Sequence, residues 1–182
     1  MNSFICLLRG INVGGKRPVK METLRAIFAA AGAQKVRTYI QSGNVVFEMA
    51  GNSLPASFEA EVFRAIEATF GFSVPLFFIS ARELEAILAA NPFLKEANLD
   101  TAFLHVTLFK EALSEAAVSH FDGKGLPAAT FLLTSQCAYL YCPDGYHKFK
   151  GGNDHWEKVC GTQATTRNWK TLQQLVVISG EE

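Results

Sequence analysis

The run Ser3-Phe4-Ile5-Cys6-Leu7-Leu8 is apolar at both odd and even positions, so as a strand it has no side to give to water. It is too short for a stable helix and ends in Arg9-Gly10, which makes it a strand buried on both faces. The segments that follow must therefore supply cover as well as neighbours. Lys20 to Ala31 places Met21, Leu24, Phe28 and Ala31 at helical spacing, with Pro18 ahead and Gly32 as C-terminal cap. Val36 to Gln41 and Val45 to Phe47 read as a hairpin turned on Ser42-Gly43. Pro55 opens a second helix in which Phe58, Val62, Ile66 and Phe70 recur every fourth residue before Gly71, and Val74 to Ile79 is again a strand. Strand, helix, strand, strand, helix, strand is the order of a ferredoxin-like sandwich.

Ser80 stands three residues before Glu83, a capping box that starts a connecting helix lined by Leu84, Ile87 and Leu88 and ended by Asn91-Pro92. The order then begins again: Ala102 to Phe109 a strand, Ser114 to Phe121 a short helix, Thr130 to Leu133 with Ala138 to Cys142 a hairpin, and Asp154 to Cys160 a helix closed by Gly161. Thr166 to Val177 reads as a last helix, which leaves the second copy without a closing strand. The expected fold is α+β: two ferredoxin-like (βαββαβ) subdomains, the second an imperfect copy, packed together. The expected organisation is an N-terminal subdomain over 1–79, a connecting helix and linker over 80–100, and a C-terminal α+β subdomain over 101–182.

Composition excludes several classes. Nearly half of the 182 residues are hydrophobic, enough for a sizeable core, and no apolar run approaches the roughly 18 residues of a membrane span. Ser3 to Leu8, followed by charge and with no small-residue cleavage site after it, reads as a strand. Cys6, Cys137, Cys142 and Cys160 form no C-x-x-C pair, and a chain with this much apolar residue needs no disulfide staples, so reduced thiols and a cytoplasmic location are expected. His105, His120, His147 and His155 share no zinc-like spacing with each other or with the cysteines, and no metal site is expected. His105 alternates with apolar neighbours, as a locally hydrogen-bonded strand histidine does. Formal charge sums to zero but is unevenly spread: Arg9, Lys16, Arg17, Lys20, Arg25, Lys35 and Arg37 have only Glu22 against them.

That basic stretch contains the chain's sharpest chemical motif, Arg9-Gly10-Ile11-Asn12-Val13-Gly14-Gly15-Lys16. Gly10-x-x-x-x-Gly15-Lys16 meets most of the phosphate-loop pattern of nucleotide triphosphatases but fails at the next position. Arg17 replaces the hydroxyl residue that would hold magnesium, and Pro18 disturbs the helix start. What remains is a loop leaving a strand on glycines, able to aim backbone N–H groups and two cations at an anion. Tyr39 to Asn44 and Ala164 to Trp169 share its polar, turn-prone character. In the second of these a threonine can cap the last helix while Arg167 faces an anion at the helix end. Trp169 shares a helical face with Leu172 and Val176 and reads as a packing anchor. The candidate ligand-binding set is Arg9, Asn12, Gly14, Gly15, Lys16, Ser42, Asn44, Thr166 and Arg167. No nucleophile, base and orienting acid can be assembled, so no catalytic residue and no cofactor is assigned.

Leu7 to Lys16, Val36 to Phe47 and Ala164 to Trp169 resemble the three signature segments of the bacterial family called domain of unknown function 1697, and Asn91-Pro92-Phe93 is similar to a further family segment. The resemblance implies a two-subdomain α+β fold with ferredoxin-like halves. It implies no established activity, substrate or catalytic residue.

These observations support a protein that binds a small phosphorylated or carboxylated ligand at a site between subdomains. An RNA-binding module is the second reading, since split β-α-β sandwiches include the RNA recognition motif. Against it, the first strand leaves neither face free to stack bases. An enzyme acting on a phosphorylated small molecule is the third.

Overall fold

The computed structural model describes residues 1–96, 99–121, 123, 126, 131–150 and 152–181. It is a mixed α+β structure with two four-stranded antiparallel sheets. Its contacts divide the chain into two compact units, Met1–Glu85 with Gln174–Glu182, and Ala86–Gln173. Among the described residues no helix is long and apolar enough to cross a membrane.

In the first unit β1 (Asn2–Leu8), α1 (Met21–Ala30), β2 (Gln34–Tyr39), β3 (Asn44–Met49), α2 (Ala56–Phe70) and β4 (Leu76–Ser80) follow one another. The strand order is β2-β3-β1-β4, which puts the doubly apolar β1 inside the sheet. Phe4, Cys6 and Leu8 share one face with Val45 and Phe47 and meet Leu24 and Phe28 of α1 and Phe58, Val62 and Ile66 of α2. Burying each of these larger side chains contributes about 1.5–3 kcal/mol. Phe47 is the hub, its ring centroid 5.3 Å from those of both Phe28 and Phe58. On the opposite face Ile5, Leu7, Val46 and Phe77 are buried as well, so neither side of this sheet is a free platform. The connecting helix α3 (Ala81–Ala89) begins with the expected capping box: Ser80 N–H donates to Glu83 Oε2 at 3.0 Å and Glu83 N–H to Ser80 Oγ at 3.2 Å. Beyond it Asn91 is buried and accepts from Phe93 N–H, starting a 3-10 turn over Pro92–Lys95.

The second unit runs β5 (Leu104–Phe109), α4 (Glu115–Ser119), β6 (Phe131–Leu133), β7 (Cys137–Tyr141), α5 (Asn153–Cys160) and β8 (Ala164–Asn168), with strand order β6-β7-β5-β8. Thr130, expected to begin β6, lies outside the described residues. Trp156 of α5 is fully buried among Phe109, Phe121 and Phe131.

Two expectations are corrected here. Thr165, Thr166 and Arg167 are strand residues, and the last helix, α6, is Trp169–Gly180. The second copy therefore has its closing strand and repeats the element order and strand order of the first. The physical reason is pairing: β8 completes its backbone hydrogen bonds against β5, with Thr166 opposite Thr107 and Arg167 opposite Val106. A polar segment with no apolar alternation gains that order only from its partner strand. Trp169 and Leu172 are buried on α6, as a packing face requires.

A cationic loop at the end of β1

The segment between β1 and α1 folds back on itself. Asn12 N–H donates to the Arg17 carbonyl at 3.1 Å and Lys16 N–H to the Val13 carbonyl at 3.0 Å, making a small hairpin with Gly14-Gly15 at its tip. Such a reversal needs left-handed backbone, and it occurs at Gly14 (φ 57°) and Gly15 (φ 73°), and also at Asn12 (φ 53°) and Arg17 (φ 49°). Asn12 holds the reversal in place with its side chain. Its Nδ2 donates to the carbonyls of Val19 (3.0 Å) and Gln41 (2.8 Å), and its Oδ1 accepts from Val19 N–H (2.8 Å). Three bonds from one amide tie both ends of the loop to the β2–β3 turn.

That turn is the second component. Tyr39 pairs with Asn44, so the connection is four residues, Ile40 to Gly43, rather than a tight two-residue turn. Asn44 is fully buried and donates through Nδ2 to the Tyr39 carbonyl (3.1 Å) and Ser42 Oγ (2.9 Å), closing the turn from inside. Leu7 pairs with Asn44, and Leu8 N–H donates to the Gly43 carbonyl at 2.8 Å. Pairing of β1 with β3 thus brings Arg9, Asn12, Gly14, Gly15, Lys16, Ser42 and Asn44 to one end of the first sheet. They divide by role: the amides of Asn12 and Asn44 bond inward as scaffold, while Gly14, Gly15 and Lys16 are exposed.

Arg17 belongs with this group, although the sequence places it only within the basic stretch and as a break in the phosphate-loop pattern. A β-carbon built on Gly10 would lie 3.8 Å from Arg17 Nη1, so the hairpin returns this guanidinium to the residue beside Arg9. Among the described residues neither Lys16 nor Arg17 has a carboxylate partner. The sequence signal for Arg17 is its membership of the basic stretch and its place at the end of Gly14-Gly15-Lys16.

Thr166 and Arg167 belong to the second unit. Thr166 Oγ1 lies 2.7 Å from Thr107 Oγ1 and donates to Asn153 Oδ1 at 2.7 Å, so Thr107 is the donor in the first contact. Arg167 Nη1 donates to Thr165 Oγ1 and to the Thr166 carbonyl, both at 3.0 Å. A strand offers neither residue the row of N–H groups that a helix start would.

Titration shifts that stand out among the described residues all fall in the second unit and all arise first from burial. Burial lowers the His105 imidazole, partly offset by the Phe103 carbonyl 3.2 Å from Nδ1, and Tyr146 stacks on the ring at 4.8 Å. Burial raises Cys137, Cys160 and Tyr139 and pushes the Cys142 thiol up to about 11. Thiols shifted this way hold their protons and are poor nucleophiles. All four cysteines are unbonded.

The model of the family described as "Protein of unknown function (DUF1697)" matches residues 1–139. The chain belongs to the DUF1697 family. The matched span holds the whole β1 loop and the β2–β3 turn, whereas β8 and α6 of this DUF1697 protein lie beyond it. Among solved structures, one described as "The structure of conserved bacterial protein SP0830 from Streptococcus pneumoniae" aligns with a TM-score of 0.68 at 23% identity. The alignment covers 98% of each chain, a likeness of fold over the full DUF1697 chain. None of the curated proteins matches it in sequence.

Proposed function

We propose that the loop after β1 binds a small phosphorylated or carboxylated ligand. The observation that carries this is the pre-organised hairpin, clamped by Asn12, that holds Lys16 and Arg17 next to glycine backbone and, among the described residues, without carboxylate partners. A rigid loop with cations already in place loses little entropy when an anion arrives, which favours affinity. Arg9 adds charge at the base, Ser42 offers a hydroxyl from the turn, and Thr166 with Arg167 are proposed as polar contacts for the same ligand class on the second unit. An RNA-recognition platform is disfavoured because Ile5 and Phe4, on opposite faces of β1, are both buried. In this proposal each half is a ferredoxin-like subdomain, built on 1–79 and on 101–182 joined by 80–100, with Gln174–Glu182 counted to the first unit, and the protein works in the cytoplasm. The matching element order and the paired central strands of both sheets support the subdomain reading.

The test is a thermal-shift screen of the full chain against nucleotides, sugar phosphates, carboxylic acids and short RNAs. A ligand present at 100 times its Kd stabilises by about 2.7 kcal/mol and raises Tm by roughly 5–10 °C. The shift should shrink with added salt and be lost in the Lys16→Ala/Arg17→Ala protein, whose own Tm stays near wild type. Asn12→Gly, which keeps the backbone conformation but removes the clamp, should weaken binding too. A hit unaffected by both variants, or a response confined to RNA, overturns the proposal.

A further inference from the structure

At the other end of β1 a cleft of about 520 Å³ opens between the start of that strand, the Ser80–Ala81 junction and the end of α6. Every residue lining it belongs to the first unit. The volume lies within the range of about 300–1,000 Å³ usual for small-molecule sites. Two of its side chains carry full charge, Arg82 and Glu85, three residues apart on α3 and so on one face of the helix, with β-carbons about 5–6 Å apart. An arginine and a glutamate at that spacing are well placed to pair. Among the described residues they form no ion pair with each other or with anything else. Arg82 also lies in the first turn of α3, at the positive end of the helix dipole, where a cation is unfavourable by about 0.3–1 kcal/mol.

We propose that this cleft binds a small zwitterion, of which a free α-amino acid is the simplest. Its carboxylate meets the Arg82 guanidinium and its ammonium meets the Glu85 carboxylate. The helix ends reinforce the same orientation. The N-terminal end of α3 favours a carboxylate on the Arg82 side, and the C-terminal end of α6, at Ser179 and Gly180, favours an ammonium across the cleft. Asn2 Nδ2 donates to Asn52 Oδ1 at 3.1 Å and to the Gly51 carbonyl at 2.8 Å, which leaves Asn2 Oδ1 as an acceptor and Asn52 Nδ2 as a donor on the cleft wall. Phe4 and Val176 supply apolar wall for the ligand's side chain. A simple anion satisfies only Arg82 and a simple amine only Glu85, so the unspent pair selects for both charges on one molecule.

Isothermal titration calorimetry of the full chain against each free L-amino acid, up to about 10 mM, tests the site. At least one should bind, with affinity falling about tenfold or more in Arg82→Gln and again in Glu85→Gln. Its N-acetyl derivative and its methyl ester, each lacking one charge, should fail to bind the wild-type protein, a readout that needs no variant to fold. No binding by any free amino acid overturns the proposal. So does equal binding of the blocked derivatives, or binding that survives both substitutions.

Discussion

Gly43→Ala probes the junction on which the candidate loop is built. Gly43 has φ 79°, and a β-carbon there would lie 2.8 Å from Leu8 Cβ and 2.7 Å from Ile11 Cδ1. Neither neighbour can step aside: Leu8 and Ile11 are essentially fully buried, and Leu8 N–H is bonded to the Gly43 carbonyl itself. The left-handed backbone costs an alanine about 1–2 kcal/mol, and the forced overlap about 1–3 kcal/mol more. A central value of about 3–4 kcal/mol lowers Tm by roughly 10 °C. Gly14→Ala is the control, because Gly14 is also left-handed (φ 57°) but a β-carbon there meets nothing within 4 Å. It should cost only the backbone term, about 1–2 kcal/mol. Urea melts followed by far-UV circular dichroism measure both. Ile11→Val, which removes the Cδ1 in the closest contact, should recover part of the Gly43→Ala loss without abolishing it, since the Leu8 contact remains. Equal destabilisation by Gly43→Ala and Gly14→Ala would refute the packing argument and with it the claim that the loop rests on a rigid base.

Ile40 is β-branched, half exposed and left-handed (φ 49°), so Ile40→Asn should stabilise by about 1 kcal/mol and raise Tm by roughly 2–4 °C; a lower Tm would show that the side chain has a packing role. Thr166→Val should cost about 1–3 kcal/mol in a urea melt because it strips the acceptor from the buried Thr107 hydroxyl. Adding Thr107→Val should then cost less than the two single losses summed; strict additivity would break the proposed hydrogen-bond chain. Stability should also fall at both ends of the pH range. Native His105 binds protons less readily than in the unfolded chain, so stability drops as pH falls below about 6.5, and His105→Gln flattens that limb. Native Cys142 keeps its proton until about 11 against an ordinary value of 9.0, so stability drops as pH rises from 9 through 11, and Cys142→Ala flattens that limb. Unchanged pH profiles in the two variants would assign the limbs to other groups.

Local chemistry made the strands and helices of the first unit legible. The uninterrupted apolar run of β1, the four-residue recurrence of Phe58, Val62, Ile66 and Phe70, and the Ser80–Glu83 box each encode their structure within a few neighbouring residues. The candidate loop was legible for the same reason, as glycines and cations adjacent in sequence. Tertiary structure alone decided what depends on a distant partner. Thr165, Thr166 and Arg167 form a strand because β5 lies beside them, although their local pattern suits a helix start equally well. Asn12 and Asn44 both read in the sequence as candidate ligand contacts, yet the side-chain amide of each bonds inward, since β2–β3 pairing sets the Tyr39 carbonyl opposite Asn44 and leaves the Gln41 carbonyl in the turn beside Asn12. Arg17 acquires its place only when Asn12 and Arg17 bond across the hairpin, and residues Gln174–Glu182 join the first unit from the far end of the chain. Helix periodicity and caps are short-range terms that a sequence displays directly, whereas the closure of long loops is decided by the packing gained on closing them, which belongs to both partners at once.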